Sequence, residues 1–151
     1  MSVFPEPDRK EIRQFVEALF RHADPGGFVA LRAFRDDIDG AWNPGAWSTP
    51  QVEDDGLVSL IAAAAELAGA CAAASERVVF APPVATFKKA NGAAEKDIAN
   101  GLELCVECDE KAAAAREQLE NLIGPATVVV ASGGTWTNPE TGADEAKLHL
   151  H

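Results

Sequence analysis

The 151-residue chain has no tyrosine and a single methionine, so it offers no tyrosine nucleophile. Cysteines number three, an odd count that gives no disulfide framework. That usage suits a reducing compartment, and a cytoplasmic protein is the expectation. Basic residues are scarce: thirteen Lys and Arg stand against 24 Asp and Glu, a net charge of −11. Charge-driven binding along nucleic acid by the body of the protein is therefore excluded, although a local basic cleft is not. No apolar run is long enough to cross a membrane, because Asp, Glu, Ser or Gly interrupts each one. The opening MSVFPEPDRKE has neither the basic nor the apolar region of a secretory leader. No membrane partner is expected.

What is present is 47% hydrophobic residues, rich in Ala, and a length that suits one domain with a real core. Ile12, Phe15, Val16, Leu19 and Phe20 recur at helical spacing after Pro7-Asp8, predicting a helix that reaches about His22. His22 then falls in the last turn, where it suits the helix dipole. Residues 28–34, FVALRAF, read as a strand with Arg32 in its middle, placed to pair with a carboxylate or to meet an anion in a cleft. Residues 36–50 read as loop. Asp36, Asp37 and Asp39 lack the rest of a calcium-loop pattern, and Trp42 and Trp47 suit anchors of that loop. A second helix is predicted over 57–75 and a short strand over 77–80, closed by Ala81-Pro82-Pro83. Residues 86–96, TFKKANGAAEK, form the most basic patch: Lys88, Lys89 and Lys96 beside Phe87. They could face nucleic-acid phosphates with Phe87 stacked on a base, or be an ordinary exposed loop.

The most informative stretch is 101–111, GLELCVECDEK. Read as a strand, Leu102, Leu104, Val106 and Cys108 share the core side, and Glu103, Cys105, Glu107 and Asp109 the other. Glu107 and Asp109 are then two carboxylates at a strand end. Such a pair repels itself unless a cation lies between, and Mg²⁺ or Mn²⁺ prefers oxygen ligands of this kind. A solvated acidic edge is the competing account. A helix follows over 112–123, ended by Gly124-Pro125, with Leu119, Leu122 and Ile123 packing. Residues 126–131, ATVVVA, read as a buried strand. Strand, helix and strand in about thirty residues make a βαβ unit with the two strands parallel and near neighbours. Ser132-Gly133-Gly134 follows as a turn whose amides could face an anion. Residues 135–145 read as a polar insertion with a turn at Asn138-Pro139. On a final strand over 147–151, Lys147, His149 and His151 share one face, and Leu148 and Leu150 the other.

The order of these elements resembles the archaeo-eukaryotic primase superfamily, in particular the RepB-type primases and primase-polymerases of plasmids and phages. The resemblance rests on Glu107-x-Asp109 as the acidic-x-acidic metal motif and on Ser132-Gly133-Gly134 followed by His149 or His151 as the phosphate motif. Residues 28–34 and Val79-Phe80-Ala81-Pro82-Pro83 also look like the family's amino-terminal half. It implies an α/β fold: a mixed sheet with helices packed on it, around an RRM-like βαβ core. It divides the single domain into an amino-terminal α/β half, 1–100, and a metal and nucleotide half, 101–151. The implied activity is primer synthesis on a single-stranded DNA template from nucleoside triphosphates, with Mg²⁺ or Mn²⁺ on Glu107 and Asp109 and His149 in the catalytic set. Ser132, Gly133, Gly134, Lys147 and His151 would meet the phosphates, Phe87, Lys88 and Lys89 the template, and a helicase domain or protein is the implied partner. Two departures stand out. The first motif opens with Glu rather than Asp, and the family's third acidic motif is expected beyond His151, so that the chain is expected to be an amino-terminal part of the catalytic domain, inactive by itself.

Three rival assignments use the same residues. His149-Leu150-His151 matches the His-hydrophobe-His motif of rolling-circle nucleases and relaxases, which need the tyrosine this chain lacks. Cys105, Cys108, His149 and His151 suggest structural zinc, but strand alternation sends Cys105 and Cys108 to opposite faces. The third is an α/β interaction module without chemistry.

Overall fold

The computed structural model describes residues 6–35, 41–42, 49–54, 56–74, 76, 78–80, 84–90 and 93–151. The expectations for Asp36, Asp37, Asp39 and Trp47, and for Ala81-Pro82-Pro83, lie outside these residues. The protein is mixed α/β, with three α-helices and small antiparallel sheets among the described residues. It divides into two compact units, Met1–Leu102 and Glu103–His151. No helix among the described residues is long and apolar enough to cross a membrane.

In the first unit α1 (Arg9–Phe20) starts where Asp8 accepts hydrogen bonds from the amides of Lys10 and Glu11, at 2.8 and 3.2 Å. It buries Val16, Leu19 and Phe20 and packs on α2 (Val58–Ala73), which buries Leu60 and Ala64. Strands β1 (Ala33–Arg35), β2 (Ala41–Trp42) and β3 (Val78–Phe80) form a sheet in the order β2-β1-β3. Strands β4 (Ala85–Phe87) and β5 (Ile98–Gly101) make a separate antiparallel pair.

The strand expected over 28–34 is regular only at its end. Before β1 the chain is bound at single points: Phe28 exchanges two backbone hydrogen bonds with Phe87, at 2.7 and 3.0 Å, and the Val29 amide donates to Pro50. Val29, Ala30 and Leu31 are all buried, so consecutive residues pack on both sides instead of alternating. Close approach here needs Gly27, since a Cβ at that position would lie 2.8 Å from Thr86 Cβ. His22 lies past the end of α1, not in its last turn.

The second unit consists of β6 (Val106–Cys108), α3 (Ala112–Ile123), β7 (Val129–Thr137) and β8 (Asp144–Leu150), with sheet order β6-β8-β7. Both outer strands are antiparallel to β8, so β6 and β7 run the same way but are not neighbours. The expected adjacent pair is thus opened by the hairpin that brings β8 back between them. Cys108, Ala112 and Leu150 form the buried core, with Val106, Ala115, Leu119, Val129 and Leu148 packed around them. Glycine 124, at φ +96°, ends the helix, a left-handed backbone that favours Gly. Leu122 and Ile123, expected to pack, are exposed.

Two further expectations change. The strand expected from residue 101 is broken: Gly101 closes β5 in the first unit, and β6 begins at Val106. Leu104 is 75% exposed, whereas the Glu103 side chain is only 14% exposed. The alternation holds within β6 and fails before it, because the unit boundary falls between Leu102 and Glu103. Ser132-Gly133-Gly134 is not a turn after a strand but lies inside β7, where the register slips between Ala131 and Thr135. This is a bulge, and Gly133 supplies its positive φ of +82°. The expected insertion over 135–145 is the hairpin itself. The Asn138 side chain accepts from the amides of Glu140 and Thr141, and Thr137 Oγ1 donates to Asp144 at 2.7 Å.

Candidate functional site

Helix α3 covers one face of the second unit's sheet, and alternation places the polar side chains on the other. The register sets Glu107 directly opposite His149. Their side chains meet, with Glu107 Oε1 3.1 Å from His149 Nε2, and one step along Asp109 Oδ1 is 3.2 Å from Lys147 Nζ. The carboxylates of Glu107 and Asp109 remain open to solvent, at 63% and 54% exposure. On the far side of β8, Ser132 Oγ donates to the Lys147 carbonyl at 3.4 Å. Lys147 lies across Gly134, where a Cβ would come 3.0 Å from its Cδ. Glycine at this position therefore gives the lysine stem its place. The bulge that interrupts the β7–β8 ladder sits against Lys147 itself.

Glu107, Asp109, Ser132, Gly134, Lys147 and His149 thus share one sheet face. His151 stands apart from the open part of this face. Its Nδ1 is 2.8 Å from Glu103 Oε1, and both side chains are nearly enclosed, at 10% and 14% exposure. Burial pushes the Glu103 carboxyl above its ordinary range, against the opposing pull of the hydrogen bond and charge of His151. Of the two histidines, His149 is the more exposed, at 35%.

Cys105 Sγ lies 3.8 Å from His151 Nε2, so Cys105, His151 and Glu103 follow one another as a thiol, an imidazole and a carboxylate. Burial, and then the charges of Glu103 and Glu107, raise the Cys105 pKa, which keeps the thiol protonated. A thiolate nucleophile is therefore disfavoured here. Cys108 is buried under α3 while Cys105 is exposed on the other side, so the two do not converge on a zinc ion. Among the described residues, no group of three or more His, Cys, Asp and Glu side chains is arranged to hold a metal ion. The hard oxygen donors of Glu107 and Asp109 do fit Mg²⁺ or Mn²⁺. Mg²⁺ is commonly held by one or two carboxylates together with substrate phosphates.

The template residues expected in the first unit fare unevenly. Phe87 is 3% exposed, its ring is part of the core, and it offers no stacking face. Lys88 is exposed, and Lys89 is exposed with its Nζ 3.0 Å from Asp97 Oδ1. Among the described residues Arg32 meets no carboxylate, and its Nη2 donates to the Ala93 carbonyl at 2.6 Å. Comparison with protein families, curated proteins and solved structures finds no match.

Proposed function

We propose that this chain carries the metal and nucleotide site of a primase-polymerase-type nucleotidyltransferase, which makes primers on single-stranded DNA from nucleoside triphosphates. The observation that carries the reading is the shared open face. Two carboxylates on and just past β6 face a lysine and a histidine on β8, next to a glycine-containing bulge. Anionic groups that hold metal lie within one strand spacing of cationic groups that hold phosphate. Phosphoryl transfer needs both, because its catalysis is mostly positioning and charge stabilisation.

In this reading Glu107 and Asp109 hold Mg²⁺ or Mn²⁺, which when bound activates a hydroxyl and neutralises phosphate charge. Lys147 and His149 leave their carboxylates and turn to the β- and γ-phosphates. The exchange costs little, because a solvent-exposed ion pair contributes only about 0–1 kcal/mol. Ser132 lies beside Lys147 and adds a hydroxyl donor. Lys88 and Lys89 are the exposed cations available to template phosphates. Any template contact is local, given the net charge of −11. A helicase domain or protein is the partner such an activity implies.

The test is Mn²⁺-dependent nucleotide binding by the chain, measured by calorimetry. ATP or dATP should bind with Mn²⁺ and much more weakly with EDTA. Asp109→Asn should remove the metal-dependent part while the fold persists. Equal binding with and without metal, or an unaltered Asp109→Asn protein, would leave the interaction module as the better account.

A further inference from the structure

Strand β6 lies at the edge of the second unit's sheet, and no strand among the described residues pairs with its outer side. On the other side of the sheet, His151 exchanges both backbone hydrogen bonds with Val128. Hydrogen-bonding direction alternates along an antiparallel strand, so Leu148 and Leu150 turn theirs to Cys108 and Val106. Glu107, between those two, turns its N–H and C=O away from the sheet. A groove runs beside this edge along α3. Two hollows of about 340 and 470 Å³ make it up, and Val106 and Leu119 line both. Each falls in the range of ligand sites, roughly 300–1,000 Å³. Leu104 and Ile123 border the first hollow and Leu122 the second, and all three are exposed. Single exposed leucines are ordinary, but three large apolar side chains along one groove mark an interaction surface. Glu107, Asp109 and Glu110 line the second hollow. Glu107 and Asp109 already meet His149 and Lys147, whereas Glu110 is exposed with no partner among the described residues.

We propose that the outer edge of β6 takes an extended segment of a partner protein as an added strand, apolar on one side and basic on the other. Its backbone pairs with the N–H and C=O of Glu107, and its apolar side chains enter the groove against Leu119 and Leu122. Side chains on a strand alternate, so the residues between them emerge toward the acids of the rim. Charge decides which strand fits. A second copy of this chain, paired edge to edge, would bring Glu107, Asp109 and Glu110 of both copies together. Like charges directly opposite destabilise a strand pair, and each copy carries a net charge of −11. Lys or Arg on the incoming strand meets acids instead, and the unpaired Glu110 has a full charge to offer it. Residues 104–110 contain no proline or lysine of the kind that blocks strand addition.

The experiment uses a dye-labelled, amidated peptide of alternating valine and lysine, about seven residues long to match 104–110. Fluorescence anisotropy at roughly 0.15 M salt, where long-range attraction is screened, measures its binding to the chain. The same peptide with glutamate for lysine should bind at least about tenfold more weakly. Proline for the inner valines keeps the charge but removes strand donors, and should also weaken binding at least about tenfold. Leu104→Ser together with Leu122→Ser should cost roughly tenfold, since both side chains are exposed and bury apolar area only in the complex. Glu110→Lys should cost about threefold. On the unaltered chain, hydrogen exchange of the Glu107 amide should slow at least about tenfold when the peptide saturates it. Equal binding of the proline peptide, or a Glu107 amide that exchanges as before, overturns the proposal. So does an affinity indifferent to the two leucine substitutions, which would mark plain attraction to an acidic surface. A chain that dimerises in sedimentation, and loses the dimer with Leu122→Ser, would assign the edge to a second copy and overturn the basic partner.

Discussion

If Glu107 and Asp109 exist for a ligand and not for the fold, replacing both should be nearly silent in stability and decisive in binding. The double substitution Glu107→Gln with Asp109→Asn keeps shape and removes two negative charges. The pairs lost are Glu107–His149 at 3.1 Å and Asp109–Lys147 at 3.2 Å, and all four side chains are at least a third exposed. Pairs of that exposure are worth about 0–1 kcal/mol each, so the loss is about 0–2 kcal/mol. Against it stands the repulsion between two carboxylates roughly 7 Å apart, which in water is about 0.6 kcal/mol. The net cost should fall between about −0.6 and 1.4 kcal/mol. Urea unfolding followed by far-ultraviolet circular dichroism measures it, and calorimetry on the same protein should show Mn²⁺-dependent nucleotide binding gone. A stability loss above about 3 kcal/mol would mean that the carboxylates hold the sheet together, and the reasoning would fail.

Leu150→Ala should cost about 2–4 kcal/mol in the second unit, because Leu150 is buried in a core too small to close the cavity; denaturant unfolding would show it. Lys111→Gly should stabilise by about 1 kcal/mol, since Lys111 enters α3 at φ +47°, where a side chain is strained; a higher unfolding midpoint is the readout. Burial raises Glu103 above its unfolded pKa, so the folded state holds that proton more tightly. Its contribution to stability is therefore full at acid pH and is lost as pH rises through the raised pKa, and Glu103→Gln should flatten the fall seen in unfolding midpoints above about pH 4.5.

Helices were the most readable part of this chain. Asp8 followed by apolar residues at helical spacing marks the start of α1, and α3 spans the residues its flanking signals indicate, 112–123. Both depend on local chemistry. The sheets were less readable because their order depends on pairing. Nothing near residue 126 reveals that β8 returns between β6 and β7. The turn residues Asn138 and Gly142 could have signalled a hairpin, but Ser132-Gly133-Gly134 hid the strand running through it as a bulge. Leu104 and Glu103 changed places because the alternation was extended across a boundary between units, where no single strand exists. Which polar residues share a face was more readable than the order of the sheet that carries them. Strand periodicity alone puts Glu107 and Asp109 on one face of β6, and Lys147 and His149 on one face of β8. Which carboxylate meets which cation required the register.

That register explains how the face can be ordered and still available. Glu103, Glu107 and Asp109 each meet a basic group from the β8 side, but the pairs differ in kind. Glu103 and His151 are enclosed, at 2.8 Å, and parting them would leave a buried charge unpaired, a cost of several kcal/mol. Glu107–His149 and Asp109–Lys147 are open to water, and parting them costs about 1 kcal/mol or less each. The first pair anchors the end of β8 beside the start of β6. The other two hold Lys147 and His149 extended toward the carboxylates. Under the proposed function, Glu107 and Asp109 would hold a divalent cation and Lys147 and His149 would meet a triphosphate. A nucleotide carrying its metal would then exchange two weak pairs for charge-assisted bonds on all four groups, whereas a metal or a phosphate alone would leave one side of the face without its partner.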